Sequence, residues 1–165
     1  MTRVRESPMP ENFSVRPARP EDADFVLALV PQLLAFGPPP WRDIDQMTET
    51  DTLTIARSLR GASDRATVLV AEDSDGRLLG FIHLCGETDY YTRGECGHIA
   101  DIVVAPEARG RGVGDAFMAE GERWARDHGY SMLTLNVFIE NRHARTLYER
   151  TGFGAETVRY VKALR

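Results

Sequence analysis

The stretch APEARGRGVG, residues 105–114, follows directly on the apolar run HIADIVV of residues 98–104. Three of its ten residues are glycine, so its peptide N–H groups are little screened by side chains. Spacing rules out two glycine-rich phosphate loops. The dinucleotide fingerprint needs Gly-x-Gly-x-x-Gly, whereas Gly110, Gly112 and Gly114 alternate. The nucleoside-triphosphate loop needs Gly-Lys-Ser/Thr, whereas Gly114 is followed by Asp115. What remains is a strand ending at Val104 and a helix beginning near Gly112, joined by a turn whose N–H groups from residues 109–114 point toward one place. The first turn of a helix has unpaired N–H groups and the positive end of the dipole, which favours phosphate, and glycine lets the anion approach the backbone. The same glycines would equally serve a tight strand-to-helix connection.

Working outward, the apolar residues of VGDAFMAEGERWARDHG recur at helical spacing, with Gly129 as a stop. SMLTLNVF (131–138) then reads as a strand, ENRHARTLYERTG as a helix and FGAETVRYVKAL as a last strand. Upstream, ATVLVAED (66–73), LLGFIHLC (78–85) and GHIADIVV (97–104) form an antiparallel meander, with DSDGR as the first turn. FSVRPA (13–18) predicts a first strand. Helices are expected over 21–35, bent at Pro31, and over 44–59, separated by FGPPPW, whose prolines cannot continue a helix. The expected order is β-α-α-β-β-β-α-β-α-β, a mixed α/β fold with helices on both faces of one central sheet.

At 165 residues the chain suits one core: a short lead-in over 1–12 and a single domain over 13–165. No apolar stretch is long enough to span a bilayer, and MTRVRESPMPENFSV lacks a signal-peptide core, so the expected setting is the cytoplasm, without a membrane partner. A net charge of −5 argues against a nucleic-acid partner, whose affinity for proteins comes mainly from basic residues. Local donors can still hold a small anion.

The second half of the chain resembles the Gcn5-related N-acetyltransferase (GNAT) superfamily. The family's acetyl-coenzyme A signature, Gln/Arg-x-x-Gly-x-Gly/Ala, is met by Arg109, Gly110, Arg111, Gly112, Val113 and Gly114. A second signature is met by Asn141, Ala144, Leu147, Tyr148, Glu149, Gly152 and Phe153. Together these cover residues 97–153. The resemblance implies an N-acetyltransferase domain of the acyl-CoA N-acyltransferase fold, acting in a ternary complex with acetyl-CoA as co-substrate and an amine-bearing small molecule or peptide as acceptor. It implies that the N–H groups of 109–114 bind pyrophosphate. It also implies that the strand around Ile102, Val103 and Val104 splays from its neighbour, leaving backbone to pair with pantetheine. A homodimer is admitted by the same resemblance, and a non-catalytic acyl-CoA-binding protein is the alternative.

Asn141 and Tyr148 lie two helical turns apart, so both can touch one extended ligand. By resemblance the Asn141 amide meets the pantetheine arm and the Tyr148 hydroxyl protonates the leaving thiolate. On residue chemistry alone, Asn141 could be a helix cap and Tyr148 a packing residue. The attacking amine must lose a proton. Alternation puts Ile99, Asp101 and Val103 on one strand face and His98, Ala100, Ile102 and Val104 on the other, which makes Asp101 the first choice of base. Many relatives carry a glutamate where this chain has Ala100, so His98, Glu140 and a water chain stay open. A hairpin centred near residues 90 and 91 would set Cys85 opposite Cys96 and His83 opposite His98. The strand rise spreads these four too far for one metal ion, so packing is expected and no metal. Trp41, Tyr90, Tyr91, Glu87, Asp89 and Glu95 are candidates for the acceptor's walls.

Overall fold

The computed structural model describes residues 12–164. Five strands form one sheet in the order β1 (Phe13–Pro17), β2 (Ala66–Asp73), β3 (Leu78–Thr88), β4 (Glu95–Val104) and β5 (Leu133–Leu135). The first four run antiparallel, and β5 lies parallel to β4. The helices are α1 (Ala23–Leu29), α2 (Ile44–Leu59), α3 (Val113–Asp127) and α4 (Arg142–Arg150). They cover both faces. On one side, a Cβ at Gly121 of α3 would stand 3.5–3.6 Å from Ile82, Leu84 and Ile99. On the other, α2 reaches the sheet through Ser58, bonded to His83.

α2 begins where Asp43 accepts a hydrogen bond from Gln46 N (2.9 Å). The helix expected over 21–35 breaks into three: 3₁₀ turns at Pro20–Asp22 and Val30–Leu34 flank α1. Pro31 donates no N–H and crowds the preceding turn, so its segment winds more tightly.

Asp22 is buried and accepts bonds from Arg16 Nη1 (2.7 Å), Arg16 Nη2 (3.3 Å) and Arg19 N (2.7 Å), tying β1 to the turn before α1. Arg16 holds the Asp22 carboxyl below the ordinary carboxylate range. A carboxylate with a depressed folded pKa stabilises the fold fully above its unfolded value of about 3.9, and loses that contribution as pH falls through the native value. Asp22→Asn should therefore cost about 3 kcal/mol at pH 7, the scale of breaking a buried pair. In urea titrations the deficit should persist down to about pH 5 and close below about pH 4.

Two expected strands differ. The run 131–138 shrinks to Leu133–Leu135, and residues 154–164 contain no strand, leaving Val158, Tyr160 and Leu164 exposed. The described order thus ends at α4. Alternation makes a segment fit to be a strand, but a ladder needs a partner edge, and a three-residue β5 offers little of one.

The hairpin register also differs. Cys85 stands opposite His98, Glu87 opposite Cys96 and His83 opposite Asp101, with a register shift between His83 and Leu84. Leu84 faces Ile99, so Ala100 is the extra residue of a β-bulge. A single extra residue reverses the alternation beyond it. Ile99 therefore packs toward α3, away from Asp101, while His98 shares the face of His83 and Asp101. This corrects the face assignment made from simple alternation. Both cysteines are free thiols.

Candidate functional site

At the glycine turn, Gly110 and Gly112 have φ of 78° and 80°, in the left-handed region that favours glycine. A Cβ on either would meet nothing within 4 Å, so the turn opens outward. Gly112 caps α3, and the first intrahelical bond is Ala116 N to Gly112 O (3.0 Å). The N–H groups of Val113, Gly114 and Asp115 therefore precede the helical ladder and are available to an anion. Gly114 has a further use: its absent side chain lets Leu147 of α4 approach to 3.3 Å from the Cβ position. Arg109 directs Nη2 to Gln32 Oε1 (3.3 Å), and Arg111 is half-buried.

β4 and β5 pair only at Gly97–Leu133, His98–Thr134 and Ile99–Leu135. Beyond Ile99 that pairing stops, so among the described residues the β5-facing backbone of Ile102, Val103 and Val104 has no strand partner. Val103 is buried, and Ile102 and Val104 are half-buried.

α4 meets α3, with Leu147 against Gly114. Asn141 is its N-cap, with Oδ1 accepting from Ala144 N (3.2 Å), so the cap role is real. An amide has donors as well as an acceptor, and capping leaves Nδ2 for another contact. Tyr148 is 8% exposed and packs on Phe153, with ring centroids 6.3 Å apart. Burial, reinforced by the charge of Asp101, pushes its phenol up to about 12. The hydroxyl is thus a protonated donor across the working pH range.

Across the sheet from α3 lies a cavity of about 550 Å³ between α2 and strands β2 to β4. His83, His98 and Asp101 line it, with Ser58 and Asp51 from α2 and Asn136 beyond β5. His83 is 2% exposed. Its Nδ1 lies 2.8 Å from Asp101 Oδ2 and its Nε2 2.9 Å from Ser58 Oγ. His98 Nδ1 lies 2.8 Å from Thr134 Oγ1, which itself donates to Gly97 O (3.3 Å). Burial holds the His98 imidazole below its usual range. Burial and then Asp101 raise the Asp51 carboxyl.

Glu140 is exposed and does not line the cavity. Trp41 lines a second cavity of about 440 Å³ that shares Asp51 with the first. Tyr90 and Tyr91 instead meet each other edge to face at 5.2 Å, with Arg93 over Tyr90, and line neither cavity. Glu87 reaches the main cavity, Asp89 accepts from Thr92 N (2.7 Å) within its own turn, and Glu95 pairs with Arg65 (3.1 Å). Sequence reading missed Ser58, Asp51 and Asn136, whose only signal was a polar position on an otherwise ordinary helix face or strand end.

Residues 31–153 match the Acetyltransferase (GNAT) family. A mycothiol acetyltransferase of Pseudarthrobacter chlorophenolicus is 32% identical over 90% of this chain and 44% of its own length. The chain thus spans about half the length of such relatives. An aminoalkylphosphonate N-acetyltransferase of Salmonella typhimurium is 29% identical over 99% of both chains. Among solved structures, the aminoglycoside N-acetyltransferase AAC(6')-Iy in complex with CoA superposes with a TM-score of 0.68 at 23% identity, covering 97% of this chain and 99% of its own. That likeness shows the shared fold. With the glycine turn, the splayed β4 and the matched span in register, the chain is a member of the GNAT acetyltransferase family.

Proposed function

We propose that the protein transfers an acetyl group from acetyl-CoA directly to a primary amine of a small molecule or peptide, within a ternary complex. The observation that carries this reading is the continuity between the unpaired part of β4 and the cavity beside it: Asp101 lines that cavity one residue before Ile102. Acetyl-CoA is held by the N–H groups of residues 109–114, by the backbone of Ile102 to Val104 and by Asn141, and it supplies an activated acyl carbon. Tyr148 donates a proton to the departing thiolate. Asp51, Glu87 and Asp101 outnumber Arg57 on the cavity wall, a field that draws in a cationic amine. The named activity of the aminoalkylphosphonate relative supports an amine acceptor. Free thiols at Cys85 and Cys96 suit a reducing, cytoplasmic setting.

The test is thiol release from acetyl-CoA across a panel of primary amines: amino sugars, aminoalkylphosphonates, amino acids, polyamines and peptide N-termini. At least one class should raise release well above acetyl-CoA alone. Asp101→Asn should then lower kcat/KM about 100-fold at pH 7 with little change in cofactor affinity, because the amide keeps the volume but loses the negative charge. Tight acetyl-CoA binding with no amine acetylated would instead mark a non-catalytic binder.

A further inference from the structure

We propose that Ser58, His83 and Asp101 form a proton relay in which His83, reached through the Ser58 hydroxyl, ends up holding the proton of the acceptor amine. This rests on the cavity being the acceptor site. The three residues come from three elements, α2, β3 and β4, and form one continuous chain: Ser58 Oγ to His83 Nε2 at 2.9 Å, and His83 Nδ1 to Asp101 Oδ2 at 2.8 Å. All three residues line the cavity, with the imidazole held deep between the other two.

Hydrogen-bond chemistry fixes the direction of the chain. An ionised carboxylate only accepts, so Nδ1 carries the hydrogen and donates it to Asp101. Nε2 is then a lone pair and accepts from the single O–H of Ser58, for which Thr54 O at 3.4 Å is the more distant alternative. Proton transfer is balanced without any further reactant. The ammonium gives its proton to Ser58 Oγ as the serine proton moves to Nε2, leaving a neutral amine, an intact serine and an imidazolium between Oγ and the Asp101 carboxylate. The same order of groups, with Asp orienting His and His serving a hydroxyl, recurs on unrelated folds wherever a proton must leave a nucleophile.

The surroundings favour that end state. The groups facing the chain are Asp51 and Arg57 from α2, Cys85 and Glu87 from β3, His98 from β4 and Tyr148 from α4. Negative charge exceeds positive among them, and the cysteine and tyrosine are held in their neutral forms by burial. The bulge at Ala100 makes the relay: without it Asp101 would not share a face with His98 or sit opposite His83. Asp101 is then a positioning residue, and His83 the acceptor.

The relay is tested with whichever amine of the panel is acetylated, measuring kcat/KM against pH for wild type, His83→Gln and Ser58→Ala. His83→Gln should lose about 100-fold at pH 7, then climb about tenfold per pH unit toward the wild-type rate as solvent deprotonates the amine. Ser58→Ala should lose about tenfold, since water can replace one hydroxyl. Wild-type rates and profiles in both variants, or an equal loss at every pH with normal melting, would overturn the relay. So would loss of the wild-type plateau in His98→Gln but not in His83→Gln. Should His83→Gln fail to fold, the imidazole itself decides. The chain has four histidines, so ¹⁵N spectra of histidine-labelled protein can identify the His83 tautomer without any acceptor. It should carry hydrogen on Nδ1 in wild type and on Nε2 in Asp101→Asn, whose amide can donate to Nδ1. An Nε2–H tautomer in wild type overturns the relay. If no amine in the panel is acetylated, the transferase reading fails instead. Acetylation with His83→Gln unchanged defeats the relay alone.

Discussion

Tyr148→Phe should lower kcat about 1,000-fold while leaving acetyl-CoA affinity within about twofold, the signature of an interaction made only in the transition state. The ring packs against Phe153 at the buried end of α4, and phenylalanine preserves that packing, so folding should survive. Among the described residues the hydroxyl has no hydrogen-bond partner, and it is not among the polar atoms sealed from solvent. Its removal therefore orphans nothing inside the protein. With the phenol pushed up to about 12, wild type should show no alkaline limb from this residue below about pH 10. Rapid-mixing measurements that isolate the chemical step provide the check. A variant with wild-type single-turnover rate would remove the acid role and leave Tyr148 as a packing residue.

Gly112→Val should weaken acetyl-CoA binding about 1,000-fold in a protein that still folds. Gly112 is exposed and its Cβ direction is open, so a side chain there collides with no part of the protein. At φ of 80°, however, a β-branched residue is strained and pulls the turn away from its shape. Its carbons also occupy the space in front of the helix N–H groups, and the loss of two charge-assisted bonds of about 2 kcal/mol each gives the stated factor. Titration calorimetry with acetyl-CoA and with CoA reads this directly. Gly114→Ala is the control, since there the added carbon presses on Leu147 at 3.3 Å; it should disturb the α3–α4 contact more than the anion site. Unchanged cofactor affinity in folded Gly112→Val would defeat the cradle.

Much of the architecture was legible in the chain because it follows from local rules. The boundaries of α2 and β2 came from apolar periodicity and the turn residues that flank it, all encoded within a few residues of where they act. The glycine turn was equally plain, since alternate glycines after an apolar run constrain the backbone whatever surrounds them. Tyr148 and Asn141 were singled out by the family signature they match, and helical spacing adds that both share one face.

Register and pairing were decided only by the tertiary structure. A β-bulge leaves no mark on hydrophobic alternation until the neighbouring strand fixes which residue is extra, and Ala100 is as ordinary an alanine as any. That one residue changes the company of Asp101 from apolar neighbours to His83 and turns an isolated carboxylate into the end of a hydrogen-bonded chain. Ser58 carried only the signal of a polar position, because a polar residue on a helix gains chemical meaning from what the helix packs against. The tail over 154–164 shows the converse, a strand-like pattern without a ladder. The sequence by itself determined which segments prefer helix or extended backbone and where the glycine turn falls. Which side chains meet across the sheet was determined by the fold, because contacts between distant segments depend on register, and one inserted residue exchanges the two faces of a strand.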